Sequence, residues 1–325
     1  MRCPDNWILA AVRGMRQRLA LRAPLAHGHN GRADCVVCHG EGDRHGAVGY
    51  TGNPLGSPVV DLVSLGCQTD LALLRFAGAD IDDRGDHLVI RSPHNPGHWW
   101  GNYLLLAGIP APEESEQWLD RFAAEFPHAR HVALGFDGKA GEATDLQWFA
   151  KKGMNVEAQA VMTAPVICEP GHVNRDCVCR PLASEDDWAQ SVGLRMRCRD
   201  LGREPASYLA YSTAGVQAHR RMVGAGHGVW FGAFLDGLLV CQMGLFSALP
   251  GVARFQSVET DPACRRLGLA GTLLYFAGGY GFGQLGARTL VICADPKYFA
   301  VDLYRAVGFA PCESQLQAEL PPPDP

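Results

Sequence analysis

The chain has 325 residues, 47% of them hydrophobic and 19% charged, with a formal net charge of −5. That is apolar material for two cores of about 150 residues each. A mildly acidic balance argues against a nucleic-acid partner, and no apolar run reaches the ~18 residues of a membrane span.

Residues 1–58 read as a poorly ordered leader. The apolar run "WILAAV" is broken by Arg13, short of the 7–15 residues of a secretory signal core. The leader carries Cys35-Val-Val-Cys38-His39, the spacing of covalent haem attachment. After Met15 the next methionine, a usual distal haem ligand, is Met154. A second close cysteine pair for zinc is also missing nearby. Haem or metal binding by this segment is therefore a minor alternative, and no metal is expected. The twelve cysteines, several in apolar runs such as Cys241 and Cys293, read as free thiols of a reducing, cytoplasmic setting.

Residues 59–165 form a first domain. Segment 86–93 alternates like a strand, 112–127 reads as a helix with an acidic first turn, and 129–137 as a short buried strand. A helix ending at Gly153 and a further strand complete it. Residues 166–175 read as an extended linker, 176–320 as a second domain and 321–325 as a tail.

In the second domain "DCVCRPL" is a strand, and Ser184 with Asp187 marks the start of a helix over 184–198. A second helix covers 206–223. Asp236-Gly237 joins two apolar runs over 229–246, a hairpin signal. Strands follow at 252–260 and 289–293, with a helix at 297–307 closed by Gly308. "ARHVALGFD" (129–137) aligns with "ARTLVICAD" (287–295), and "FAKKGM" with "YRAVGF", in the same order, so an internal duplication is expected.

Arg265-Arg266-Leu267-Gly268-Leu269-Ala270-Gly271 follows the 252–260 strand and opens a helix. Small residues let a phosphate approach the backbone. Helix N-terminal N–H groups and two arginines favour an anion there. This is neither a Walker loop nor a dinucleotide fingerprint.

The pattern R/Q-x-x-G-x-G/A after a strand, met by Arg265, Gly268 and Ala270, is followed by a buried strand and then Ala300, Tyr304, Gly308 and Phe309. Together these resemble the GNAT superfamily of acetyl-CoA-dependent N-acetyltransferases. The resemblance implies an α+β GNAT fold, a mixed, mostly antiparallel central sheet flanked by helices, and with the duplication two GNAT-like halves. It implies acetyl-CoA as co-substrate and transfer of an acetyl or small acyl group to a primary amine by direct attack. Backbone groups of Phe255 to Val258 would pair with the pantetheine arm. Arg265, Arg266, Leu267, Gly268, Leu269, Ala270 and Gly271 would hold the pyrophosphate, and Tyr304 would protonate the leaving thiolate. Glu259 would take the proton of the amine. Lys297 stands where the family often has an asparagine that contacts CoA.

The first half lacks the anion motif, and Phe149 replaces the tyrosine. "SPHNPGHWWGNYLLLAG" is expected where the anion loop would be, with Trp99, Trp100 and Tyr103 filling the coenzyme's space. His94, His98, Trp99, Trp100 and Asn102 are candidates to line the acceptor cleft. The first half should form its own sheet, packed against the second, and bind no CoA. A different class remains open beside the enzyme: a CoA-binding regulatory protein without catalysis.

Overall fold

The computed structural model describes residues 60–200 and 203–322; Cys35, Cys38 and His39 lie outside them. In the first half, helix α1 (Leu65–Phe76) is capped by Ser64, whose Oγ accepts from Cys67 N–H at 3.3 Å. Strands β1 (Asp80–Asp83), β2 (His87–Arg91) and β3 (Tyr103–Leu106) come next. Then follow α2 (Ser115–Glu125), β4 (Val132–Phe136), α3 (Gln147–Lys151) and β5 (Asn155–Ala164).

The second half runs β6 (Val178–Pro181), α4 (Glu185–Cys198), α5 (Pro205–Gly224), β7 (Gly228–Leu235) and β8 (Leu238–Leu249). It continues with β9 (Val252–Thr260), α6 (Leu269–Gly283), β10 (Thr289–Ala294), α7 (Ala300–Ala306) and β11 (Ala310–Leu320). The Ser184–Asp187 capping box forms, with Asp187 N–H donating to Ser184 Oγ at 3.1 Å. Asp236 and Gly237 take φ of 50° and 81°, as a tight hairpin turn requires. The helix expected from 297 starts at Ala300.

Among the described residues, eleven strands make one sheet in the order β1-β2-β3-β4-β11-β5-β10-β9-β8-β7-β6. The class is α+β, and the sheet is mostly antiparallel. Its parallel pairs are β3 with β4 and β9 with β10. These pairs stand at equivalent places on either side of the central β11–β5 ribbon. The repeat seen in the sequence thus maps β4 onto β10.

The expectation that the first half forms its own sheet, packed against the second, is corrected. β11 pairs on one side with β4 and on the other with β5, while β5 pairs with β10. Each half is completed by a strand of the other. A strand with two open edges is satisfied only when both ladders are made.

Core residues occupy both faces. Phe231, Leu245 and Leu290 of the sheet pack against Leu273 of α6 and Tyr304 of α7. Trp230 and Phe246 of the sheet pack against Trp188 and Leu194 of α4 and Val216 of α5. Helix α1 is shared: Cys67 and Leu71 join the first half's core, Ala72 and Leu73 the second's.

Candidate active site

Strands β9 and β10 are paired only from Val252 to Arg254 and from Thr289 to Val291. β9 runs on to Thr260 and β10 to Ala294, so the two part and leave a backbone edge of β9 open towards its end. β9 also bulges: Gly244 pairs with Gln256 and Gln242 with Glu259. Ser257, inside the bulge, has φ 49°. A bulge re-aims side chains. Gln256 and Ser257 line one cavity, and Val258, Glu259 and Thr260 line another.

The second cavity, about 570 Å³, lies against α6 and α7. Val258, Glu259, Arg265, Arg266, Gly268, Leu269, Ala270, Gly271 and Tyr304 all line it. Two candidates do not. Leu267 is exposed, and its carbonyl accepts from Asn174 Nδ2 at 2.8 Å. Lys297 sits in the exposed turn before α7.

Arg266 and Gly268 have φ of 62° and 77°, which turns the loop sharply into α6. The first turn of α6 has neither a side-chain cap nor an acidic residue. α1, α4 and α5 differ, being closed by Ser64, Ser184 and Glu204. The leading N–H groups of α6 therefore have no capping side chain. A Cβ at Gly268 would come within 2.7 Å of the His172 carbonyl oxygen. The 166–175 segment is thereby fixed against the loop. Asn174 N–H donates to Thr272 Oγ1 at 2.8 Å, and Cys168 N–H to the Val307 carbonyl at 2.9 Å.

Tyr304 is 6% exposed, and burial raises its phenol well above the usual range, with Tyr298 and Cys241 adding to the effect. It keeps its proton at neutral pH. Glu259 Oε2 accepts from Gln242 Nε2 at 2.6 Å. Gln242 is itself held, its Oε1 accepting from Ser191 Oγ at 2.6 Å and from Trp230 Nε1 at 3.1 Å. Glu259 also faces Arg195 Nε at 3.6 Å. The carboxylate is therefore oriented by a buried network that its position at a strand end does not reveal.

Cys198 and Cys264 line the cavity too and were not singled out from the sequence. Burial, with the Glu259 charge, pushes the Cys198 thiol up to about 11, which keeps it a weak nucleophile.

The first half departs from this plan. β3 and β4 stay paired to their ends, and Asp137 N–H continues the ladder to the Leu106 carbonyl at 2.9 Å. The counterpart of the anion loop is 107–114, between β3 and α2, not the 92–108 stretch expected from the sequence. It carries Glu113 and Glu114, and Glu114 Oε2 accepts from Ala111 N–H at 2.9 Å. Acidic side chains at a helix start take the place an anion would need.

Nor do the aromatic residues fill a vacated coenzyme site. Tyr103 is buried in the first half's core. Trp99 stacks on His131 with ring centroids 5.9 Å apart, and Trp100 Nε1 donates to Glu319 Oε2 at 2.9 Å.

Another cavity, about 230 Å³, lies on the opposite face, walled by α1, α4, α5 and the 92–102 loop. His94, His98 and Trp100 line it. Trp99 and Asn102 do not; Asn102 Nδ2 instead ties the loop through the His98 carbonyl at 2.9 Å. Among the described residues no cluster of three or more His, Cys, Asp or Glu could hold a metal, and no helix is long and apolar enough to cross a membrane.

No family model matches the sequence, and no curated protein matches it. Solved structures do. A GCN5-related N-acetyltransferase from Kribbella flavida is 17% identical, with TM-score 0.54, over 79% of this chain and 97% of its own. One from Sphaerobacter thermophilus is 16% identical, with TM-score 0.51, over 75% and 84%. A conserved protein of unknown function from Staphylococcus epidermidis is 10% identical, with TM-score 0.57, over 75% and 94%. At identities this low the likeness is one of fold: the chain has the GCN5-related N-acetyltransferase fold, with two such halves sharing one sheet.

Proposed function

We propose that the protein transfers an acetyl or small acyl group from acyl-CoA to a primary amine, and that only the second half takes the coenzyme. The observation that carries this reading is the parting of β9 and β10 above the uncapped start of α6, with Tyr304 in the same cavity. The pantetheine arm would lie along the open edge of β9. The pyrophosphate would sit on the backbone of residues 266–271, with Arg265 and Arg266 at the exposed rim.

In the step proposed, the amine nitrogen attacks the thioester carbon. A C–N bond forms, the C–S bond breaks, and no acyl-enzyme is needed because both reactants are held together. Glu259, directly or through water, receives the proton lost by the ammonium before attack and passes it to solvent, and the second proton leaves the nitrogen to solvent as the amide forms. Tyr304 gives its proton to the CoA thiolate and regains one from solvent. The products are an amide, CoA thiol and one proton.

Calorimetry with acetyl-CoA and thiol release with an amine panel test the reading. One equivalent of acetyl-CoA per chain and loss of binding in Arg266→Glu are expected. Two equivalents, or full affinity in that variant, would overturn it. Binding without turnover of any amine would favour a regulatory CoA-binding protein.

A further inference from the structure

Arg195, on α4, lines the smaller cavity, and its side chain is 5% exposed. A guanidinium offers five N–H donors. Among the described residues its hydrogen bond goes from Nη2 to Ser257 Oγ, at 3.1 Å. Nε is buried without a hydrogen-bond partner. Its countercharge, Glu259, is at 3.6 Å, beyond hydrogen-bond reach. A buried, under-satisfied guanidinium is costly unless an anion completes it. Gly215 makes the placement possible, since a Cβ there would stand 3.0 Å from Arg195 Nη1.

The rest of the wall carries one carboxylate, Asp70, and one further guanidinium, the exposed Arg221. His98 and His219 line it, and both are held neutral by burial, with Arg195 adding to the effect. Asp70 is already engaged, with Arg254 Nη2 at 2.8 Å and Gln315 Nε2 at 2.9 Å. The cavity, about 230 Å³, is below the usual size of drug-like pockets. It suits a small metabolite with one anionic group and suits polycations poorly. Arg195 and Glu259 form the partition between the two cavities, so a cation site and an anion site stand side by side at the bulge of β9.

Resting on the acyl transfer proposed above, we infer that the acceptor is a free amino acid, its carboxylate on Arg195 and its amino group beside Glu259. The amino and carboxylate groups of an α-amino acid hang on one carbon, which matches the close spacing of the two side chains. The side chain would extend among Leu73, Leu74, Ala77 and Met222.

The test is calorimetric titration of the twenty standard amino acids and their carboxamides, with and without CoA present. At least one amino acid should bind, and its carboxamide should bind about tenfold more weakly or worse, as loss of a charge-assisted pair predicts. Arg195→Gln should remove that difference while leaving acetyl-CoA affinity unchanged, and Arg195→Lys should restore part of it. The acid–amide comparison needs no variant, so poor folding of Arg195→Gln leaves it intact. Binding of no amino acid, or equal binding of acid and amide, would overturn the inference. So would faster acetylation of spermidine or of a tripeptide than of every amino acid. Failure of acetyl-CoA itself to bind would overturn the acyl-transfer reading instead.

Discussion

Arg254 Nη2 on β9 lies 2.8 Å from Asp70 Oδ1 on α1, with the arginine side chain only 6% exposed. The pair binds a helix of the first half to β9 of the second. Removing one member of a buried pair strands the other charge. Arg254→Met is therefore expected to cost about 3–5 kcal/mol. Urea unfolding of the two single variants and of Asp70→Asn/Arg254→Met should show a combined loss smaller than the sum.

The glycines of α6 separate into two kinds. A Cβ at Gly281 would meet Leu245 Cδ2 and Leu290 Cδ2 at 2.9 Å, whereas Gly279 has nothing within 4 Å. Gly281→Ala should destabilise by about 1–3 kcal/mol through overpacking. Gly279→Ala should stabilise by about 0.5–1 kcal/mol by restricting the unfolded chain. Thermal unfolding of both variants checks the opposite signs.

Tyr304→Phe keeps the ring that packs 6.3 Å from Phe309 and removes the hydroxyl. If the phenol protonates the thiolate, turnover should fall about 100-fold or more. Acetyl-CoA affinity should hold, as expected for a group acting in the transition state. Because burial raises this phenol, it stays protonated through mildly alkaline pH. The wild-type rate should show no loss below pH ~10 attributable to it.

Three imidazoles set an acid limit. Burial pushes His98 down to about 4, lowers His131, and holds His219 well below its ordinary value. An unfolded histidine titrates near pH ~6.5. Between there and the folded value the unfolded chain binds protons that the folded chain does not. Stability is thus fully present above that range and declines as pH falls, by up to about 1.4 kcal/mol per pH unit for each shielded ring. Urea midpoints should be flat above pH 7 and drop towards pH 4.5, less steeply in His98→Asn.

Much of the second half was legible from local pattern. The Ser184–Asp187 cap, the Asp236-Gly237 turn and the loop from Arg265 to Gly271 each carry their signal within a few residues. Helix α1 carries no clear sequence signal, because "LGCQTDLALLRF" buries Gly66, Cys67 and Thr69 beside its leucines and so has no clean apolar stripe. Arg195 and Gln242 gave no sign either, since their importance comes from meeting Glu259 across elements. The repeat marked β4 and β10 as equivalents, yet strand pairing at long range has no local signature. Thus sequence alone does not separate the loop before β3 from the 107–114 connection, the true equivalent of the loop between β9 and α6.

The exchange of β5 and β11 also bears on how the chain reaches this state. Cys312 Sγ on β11 approaches the Val161 carbonyl on β5 at 3.3 Å, across 151 residues of chain. Until that return is made, β4 and β5 present unpaired edges, the kind that templates aggregation. Residues 60–165 expressed alone should therefore aggregate or remain unfolded. In the intact chain, closure of the central ribbon, a contact of very high sequence separation, should be the slow step of folding. Proteolysis at 166–175 should leave two fragments that still elute together, interlocked through strands that neither can give up without exposing its own core.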